Sequence, residues 1–161
     1  MAKLEVTIED NSKEVIRELD KATEKVLFAI GVLGVEGCVE KAEEHDAVTG
    51  RPTVDTGRYV SGFGFITPTF GAMTKPVNTE KPKKPKPTDN FSGQRSANNT
   101  VVIANNVEYA PDLEFGSGTK EGGKHARYIM KRGIESKIDK MKEQAKKILK
   151  GSDIDVSFGG K

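Results

Sequence analysis

This 161-residue sequence predicts an α+β fold, a long N-terminal helix and a basic C-terminal helix packed on a small, mainly antiparallel sheet. Three features predict it. Apolar residues recur at steps of four and three from Val15 to Leu33 and again from Met130 to Ile148, the spacing of a one-sided helix. Short apolar or alternating runs at Phe63 to Thr67 and Thr100 to Ala104 lie between them, as strands would. Two glycine-bearing bends, Val54-Asp55-Thr56-Gly57-Arg58 and Tyr109-Ala110-Pro111-Asp112-Leu113-Glu114-Phe115-Gly116, bracket those runs.

Along the chain, Leu4, Val6 and Ile8 alternate with polar residues, the pattern of a short strand with one buried face. Asn11 is placed to cap the following helix, with Glu14 completing a capping-box-like start. The helix carries Val15, Leu19, Ala22, Val26, Ala29 and Leu33 in one stripe, widened by Ile16, Ile30 and Val39, and that stripe is expected to be covered. Gly31, Gly34 and Gly37 follow at every third position, each costing up to about 1 kcal/mol relative to alanine. The repetition predicts either close approach of another backbone or a kink. Continuous to about His45, the helix spans roughly 50 Å, more than a domain of this size needs, so an overhang that meets a neighbour is expected.

Ala47 to Thr53 reads as a loop. In the first bend Asp55 and Thr56 can accept downstream backbone N–H groups, and Gly57 allows a tight approach. A brief helical turn from Arg58 is expected before Phe63, Phe65 and Thr67 alternate, with Tyr59 and both phenylalanines in the core. Residues 68–98 change character: Pro68, Pro76, Pro82, Pro85 and Pro87 punctuate lysines, and Lys81-Pro82-Lys83-Lys84-Pro85-Lys86-Pro87 admits neither helix nor interior strand. This is a long Pro/Lys-rich flexible insertion or a hairpin arm.

Val101, Val102 and Ile103 are continuous enough to predict a strand buried on both faces. Asn105-Asn106 turns the chain into the second bend, where Tyr109 and Phe115 are expected to pack a loop or single helical turn onto the core and Pro111 fixes φ. Gly116-Ser117-Gly118 and Gly122-Gly123 bracket a loop expected to be mobile. The last helix is expected from His125, with Ala126, Met130, Ile134, Ile138, Met141, Ala145 and Ile148 on its apolar side and Gly151 as its stop. Residues 1–150 form the single expected domain. In 151–161 Ile154, Val156 and Phe158 alternate, giving a tail or an added edge strand.

Composition narrows the function classes. Apolar residues make up 35% and charged ones 31%, which fits a folded, well-solvated domain. The single Cys38 excludes an internal disulfide framework and a four-cysteine metal site. No signal-peptide run or membrane-length apolar stretch is present, so a cytoplasmic protein off the membrane is expected. The net charge of +2 conceals an asymmetry: residues 1–50 hold six Lys/Arg against twelve Asp/Glu, and residues 120–150 hold eleven against four. Such halves pair within one subunit or between copies, or are simply solvated helix faces.

Candidate chemistry is sparse, and no enzyme is expected. His45 and His125 are far apart in sequence and without partners at metal-ligand spacing, so neither metal nor cofactor is predicted. Cys38 reads as a small buried hydrophobe. Asp55-Thr56-Gly57 matches the active-site tripeptide of aspartic proteases, yet it follows a loop, is trailed by Arg58 and lacks the apolar-glycine signatures of that class. Gly62-Phe63-Gly64 and Gly116-Ser117-Gly118 lack the spacing of a phosphate loop. Non-specific nucleic-acid binding is the alternative function: Lys81, Lys83, Lys84 and Lys86, with Lys131 and Arg132 on the basic helix, are candidate interface or phosphate contacts. Base readout is not indicated.

Val54-Asp55-Thr56-Gly57-Arg58 ahead of an alternating segment, then Val107-Glu108-Tyr109-Ala110 with Glu114-Phe115-Gly116, then a basic helix, resembles the minor-tail-component family of tailed bacteriophages. The similarity runs from the first long helix to about Lys150, and the proline-lysine insertion departs from the family's compact pattern. The resemblance implies a virion protein of the neck, made in the host cytoplasm, that completes the tail or joins head to tail. Its implied partners are sibling copies in a homo-oligomeric ring, connector or head-completion proteins, and tail-terminator or tail-tube proteins, with contact to DNA in the channel possible in such a place.

Overall fold

A computed structural model describes residues 12–44, 58–69, 73–74, 99–116 and 126–152. The expected first strand at Leu4 to Ile8, the Asn11 cap, most of the Pro/Lys insertion, the glycine loop before the last helix and the tail beyond Ser152 lie outside them. The architecture is α+β. Helix α1 (Ser12–Glu43) is followed by a single turn α2 (Arg58–Ser61), strands β1 (Phe63–Ile66), β2 (Met73–Thr74) and β3 (Val102–Asn105), the short helix α3 (Ala110–Phe115) and helix α4 (Ile129–Lys150). The sheet has the order β2-β1-β3 and both pairings are antiparallel. Phe63 lies opposite Asn105, and Ile66 opposite Val102.

β1 is the central strand and all four of its residues are buried, with Phe63 and Phe65 among the largest side chains wholly removed from solvent. β3 is an edge, and this corrects the expectation of a strand buried on both faces: Val102 is exposed, while Val101 and Ile103 are half-buried against the core. Three valine-type residues in a row are consistent with a strand covered on both sides, but among the described residues none forms a second layer over the Val102 side.

α1 runs unbroken for 32 residues, about 48 Å at 1.5 Å per residue. Its glycines mark close approach rather than a kink. A Cβ on Gly31 would collide with the Phe65 ring, one on Gly34 with Ile103, and one on Gly37 with the backbone carbonyl of Gly133. α4 packs antiparallel along α1, with Gly37 against Gly133, Glu40 beside Lys137 and Met141 near Gly34. The core gathers Val35, Cys38 and Ala42 of α1 with Tyr59, Phe63, Phe65, Val107 and Ile129.

Two helix faces differ from expectation. Val15, Ile16 and Leu19 are 61%, 58% and 44% exposed, because residues 13–21 are exposed on every side of α1. From Ala22 onward the expected stripe is buried or half-buried, and the deepest packing falls on the side bearing Leu27, Gly31, Val35, Cys38 and Ala42. α4 begins at Ile129 rather than His125, since Tyr128 adopts a left-handed conformation (φ 48°, ψ 42°) that cannot continue a helix. Ala126 is therefore outside it. α4's buried stripe is Ile129, Gly133, Lys137, Met141 and Ala145, and Ile138 is exposed. The Gly37–Gly133 contact turns Gly133 inward, and the residues at intervals of four follow it.

Candidate functional site

The two bends that bracket the sheet sequence can be traced from Arg58 and from Val107 onward; Val54, Asp55, Thr56 and Gly57 lie outside the described residues. Arg58 opens α2, the helical turn expected there. Directly after it, Tyr59 and the second bend meet. The Tyr59 and Tyr109 rings stack with centroids 6.4 Å apart, and Tyr59 meets Phe63 edge-on at 5.0 Å. Asn105 ties the same place together through the backbone: its Nδ2 donates to the Tyr59 carbonyl at 2.7 Å and its Oδ1 accepts the Val107 N–H at 3.0 Å. That asparagine holds the end of β3 against α2 and aims the chain into α3.

The second bend is a single short helix, as its sequence suggests. Pro111 sits in its first turn, where a missing N–H costs nothing, and the Ala110 N–H reaches back to Val107. Gly116 ends it at φ 83°, a conformation that only glycine adopts without strain. Ala110 is buried, but Phe115 is 38% exposed, which corrects its expected place in the core. The buried residue of that last turn is Glu114.

Glu114 is the residue whose role the sequence does not announce. Its side chain is 7% exposed, and its two oxygens accept the Met130 and Lys131 N–H groups at 2.9 and 3.1 Å. Those amides belong to the first turn of α4, where backbone donors have no partner within the helix. A carboxylate from another element thus caps α4 and places negative charge at the positive end of its dipole. The strap before α4 is bonded to the same turn of α3, with Arg127 N–H to Leu113 O and Tyr128 N–H to Glu114 O.

Around this anchor lie two polar groups that are shut away from water. Burial, with the Glu114 charge adding to it, pushes the Cys38 thiol up to about 12. A thiol held in its protonated form is not a nucleophile. The same two causes raise Tyr59, whose buried hydroxyl has no hydrogen-bond partner among the described residues. Among those residues no group of three or more His, Cys, Asp or Glu is placed to hold a metal ion. A polar hollow of about 350 Å³ beside α1 is lined in part by Asp20, Glu24, Thr69 and Asn99, and within that lining the Thr69 hydroxyl donates to Glu24 at 2.8 Å.

The charge asymmetry is satisfied at least partly within one subunit. Lys137, buried on α4, donates to Glu40 at 2.6 Å, and Arg132 reaches Glu44 at 2.9 Å. Lys41 and then Arg132 hold the Glu44 carboxyl below its ordinary value. Of the cations expected to touch phosphate, Arg132 is thus engaged by a carboxylate, and Lys131 lies 6.0 Å from the centre of the Tyr128 ring. Lys81, Lys83, Lys84 and Lys86 lie outside the described residues. The outer face of α4 also carries Glu135, Asp139 and Glu143, all exposed and spaced four apart, so its lysines do not form an uninterrupted basic strip.

Among the described residues, the most exposed large apolar side chains are at the start of α1. α4 ends at Lys150, close to where Ile148 lines a groove with Lys21, Glu24, Lys25 and Phe28. The α1 residues before that level, with Val15, Ile16 and Leu19 uncovered, project past the end of α4. No described helix is long and apolar enough to cross a membrane. No family model, curated protein or solved structure matches the chain.

Proposed function

We propose that this chain is a structural subunit of a tailed-phage neck, completing the tail or joining it to the head by assembling with its own copies into a ring and docking on connector or tail-terminator proteins. The observation that carries the reading is the projecting start of α1. Three large aliphatic side chains exposed together are unfavourable for a free subunit and become favourable when another chain covers them. The described interior adds to this: the bend residues Tyr109, Ala110, Glu114 and Gly116 serve to lock α2, α3 and α4 together, which suits a rigid building block.

Nucleic-acid binding through α4 is the weaker reading, because Arg132 and Lys137 already face carboxylates and acids interrupt the outer lysines. Sedimentation of the full chain alone, with DNA, and with purified connector and tail-terminator rings tests the two. A discrete oligomer that co-sediments with those rings is the expected result. A monomer that ignores them and binds DNA with a steep loss of affinity on adding salt would overturn the proposal.

A further inference from the structure

The start of α1 offers two surfaces of opposite character. One is an apolar knob, Val15, Ile16 and Leu19, with exposed Glu18 and Asp20 to either side of it. The other is a groove of about 530 Å³ lined by Phe28 and Ile148, by Lys21 and Lys25, and by one acid, Glu24. At about 100° of rotation per residue, Lys21, Lys25 and Phe28 fall on the far side of α1 from the knob. The same few turns of helix therefore carry an acid-flanked projection on one side and, on the other, a recess whose rim has two lysines and one glutamate.

Taking the self-assembly proposed above as its premise, we infer that the knob of one copy seats in the groove of the next, Leu19 and its neighbours against Phe28 and Ile148 and Glu18 and Asp20 against Lys21 and Lys25. The charges select this pairing. A two-fold contact of knob on knob would bring Glu18 and Asp20 of one copy toward their equivalents in the other, whereas knob on groove sets them against a rim on which two lysines outnumber one acid, Glu24. Because the joined surfaces are different and face opposite ways, every copy that uses its knob still offers its groove. Such a contact is heterologous, and it grows until the rotation between neighbours closes a ring.

The test uses the full chain in analytical ultracentrifugation. Leu19→Asp disables the knob at an exposed position, and Ile148→Lys disables the groove in the last turn of α4; unchanged melting of each establishes that the fold is kept. Each variant alone is expected to need a roughly tenfold or higher concentration to assemble. Mixed, they retain one intact contact, the knob of Ile148→Lys in the groove of Leu19→Asp, and are expected to stop at a two-chain complex. Unmodified protein that assembles while both variants assemble equally well would overturn the knob-and-groove contact and leave the ring proposal standing, and so would a mixture that gains nothing over its parts. Unmodified protein that stays monomeric both alone and with connector and tail-terminator rings would end both.

Discussion

The carboxylate of Glu114 and the backbone amide of Met130 are sixteen positions apart in the chain and 2.9 Å apart in space. Through that contact and its twin to Lys131, the last turn of α3 becomes the cap of α4. Glu114→Ala removes both acceptors and leaves two donors near the core without partners. A loss of roughly 2 to 4 kcal/mol in urea unfolding is expected. Glu114→Gln, which retains one acceptor oxygen, should recover part of it.

Gly133→Ala should also destabilise, although alanine favours helices by about 1 kcal/mol over glycine. The added Cβ would sit 2.6 Å from the Cys38 backbone, so the helices must separate. A net loss of about 1 to 3 kcal/mol is expected from such overpacking, read as a lower melting temperature. Gly151→Ala, where the nearest atom is 3.4 Å away, is the control and should leave the melting temperature within a degree or two.

Lys137 and Glu40 form an unequal pair, since the lysine side chain is 5% exposed and the glutamate 54%. Replacing Lys137 with methionine keeps the stem's packing and removes a charge, and is expected to change stability by less than about 1.5 kcal/mol. Glu40→Ala strands the ammonium and should cost more than Lys137→Met. Denaturant titrations of the two variants side by side decide it, and the reverse order would mean that Lys137 finds another partner.

Alkaline pH should weaken the fold through Cys38 and Tyr59. Cys38 is raised from 9.0 to about 12, so between those values the folded protein keeps a proton that the unfolded chain has released. Stability is whole below pH 9 and falls above it, by at most about 1.4 kcal/mol per pH unit for this one group. Tyr59, raised for the same reasons, steepens the fall above pH 10. Unfolding midpoints between pH 7 and 11 measure this, and Cys38→Ser should flatten the lower part of the curve. At pH 8 the native thiol should react with a disulfide reagent at least about a hundredfold more slowly than the unfolded chain.

Much of this architecture was legible in the sequence. The helical spacing of α1 and α4, the turn at Arg58, the strands at Phe63 and Val102 and the short helix containing Pro111 follow from periodicity and turn chemistry. The close helix approach was legible in Gly31, Gly34 and Gly37. The inward side of α1 was legible in part: Ala22 is buried and Val26, Ala29 and Leu33 are half-buried, as the aliphatic stripe suggests, whereas the closest packing falls on the side of Gly31, Val35 and Cys38, where the glycines weaken the periodic signal. The capping role of Glu114 escaped even though the residue stood in the second bend motif, since an acid there looks solvent-facing, like Asp112, until the amides it serves are brought to it. The left-handed Tyr128, which sets the start of α4, has no mark in its residue type.

The Gly37–Gly133 crossing has a mechanical consequence. Only the Lys137 stem lies beside the two backbones at that point, so close packing leaves α1 and α4 little room to slide or splay. A push on the free end of that pair reaches the sheet as a tilt of the whole body rather than being absorbed along the way. In the ring proposed above, a subunit so built would pass strain from one neighbour to another with little loss.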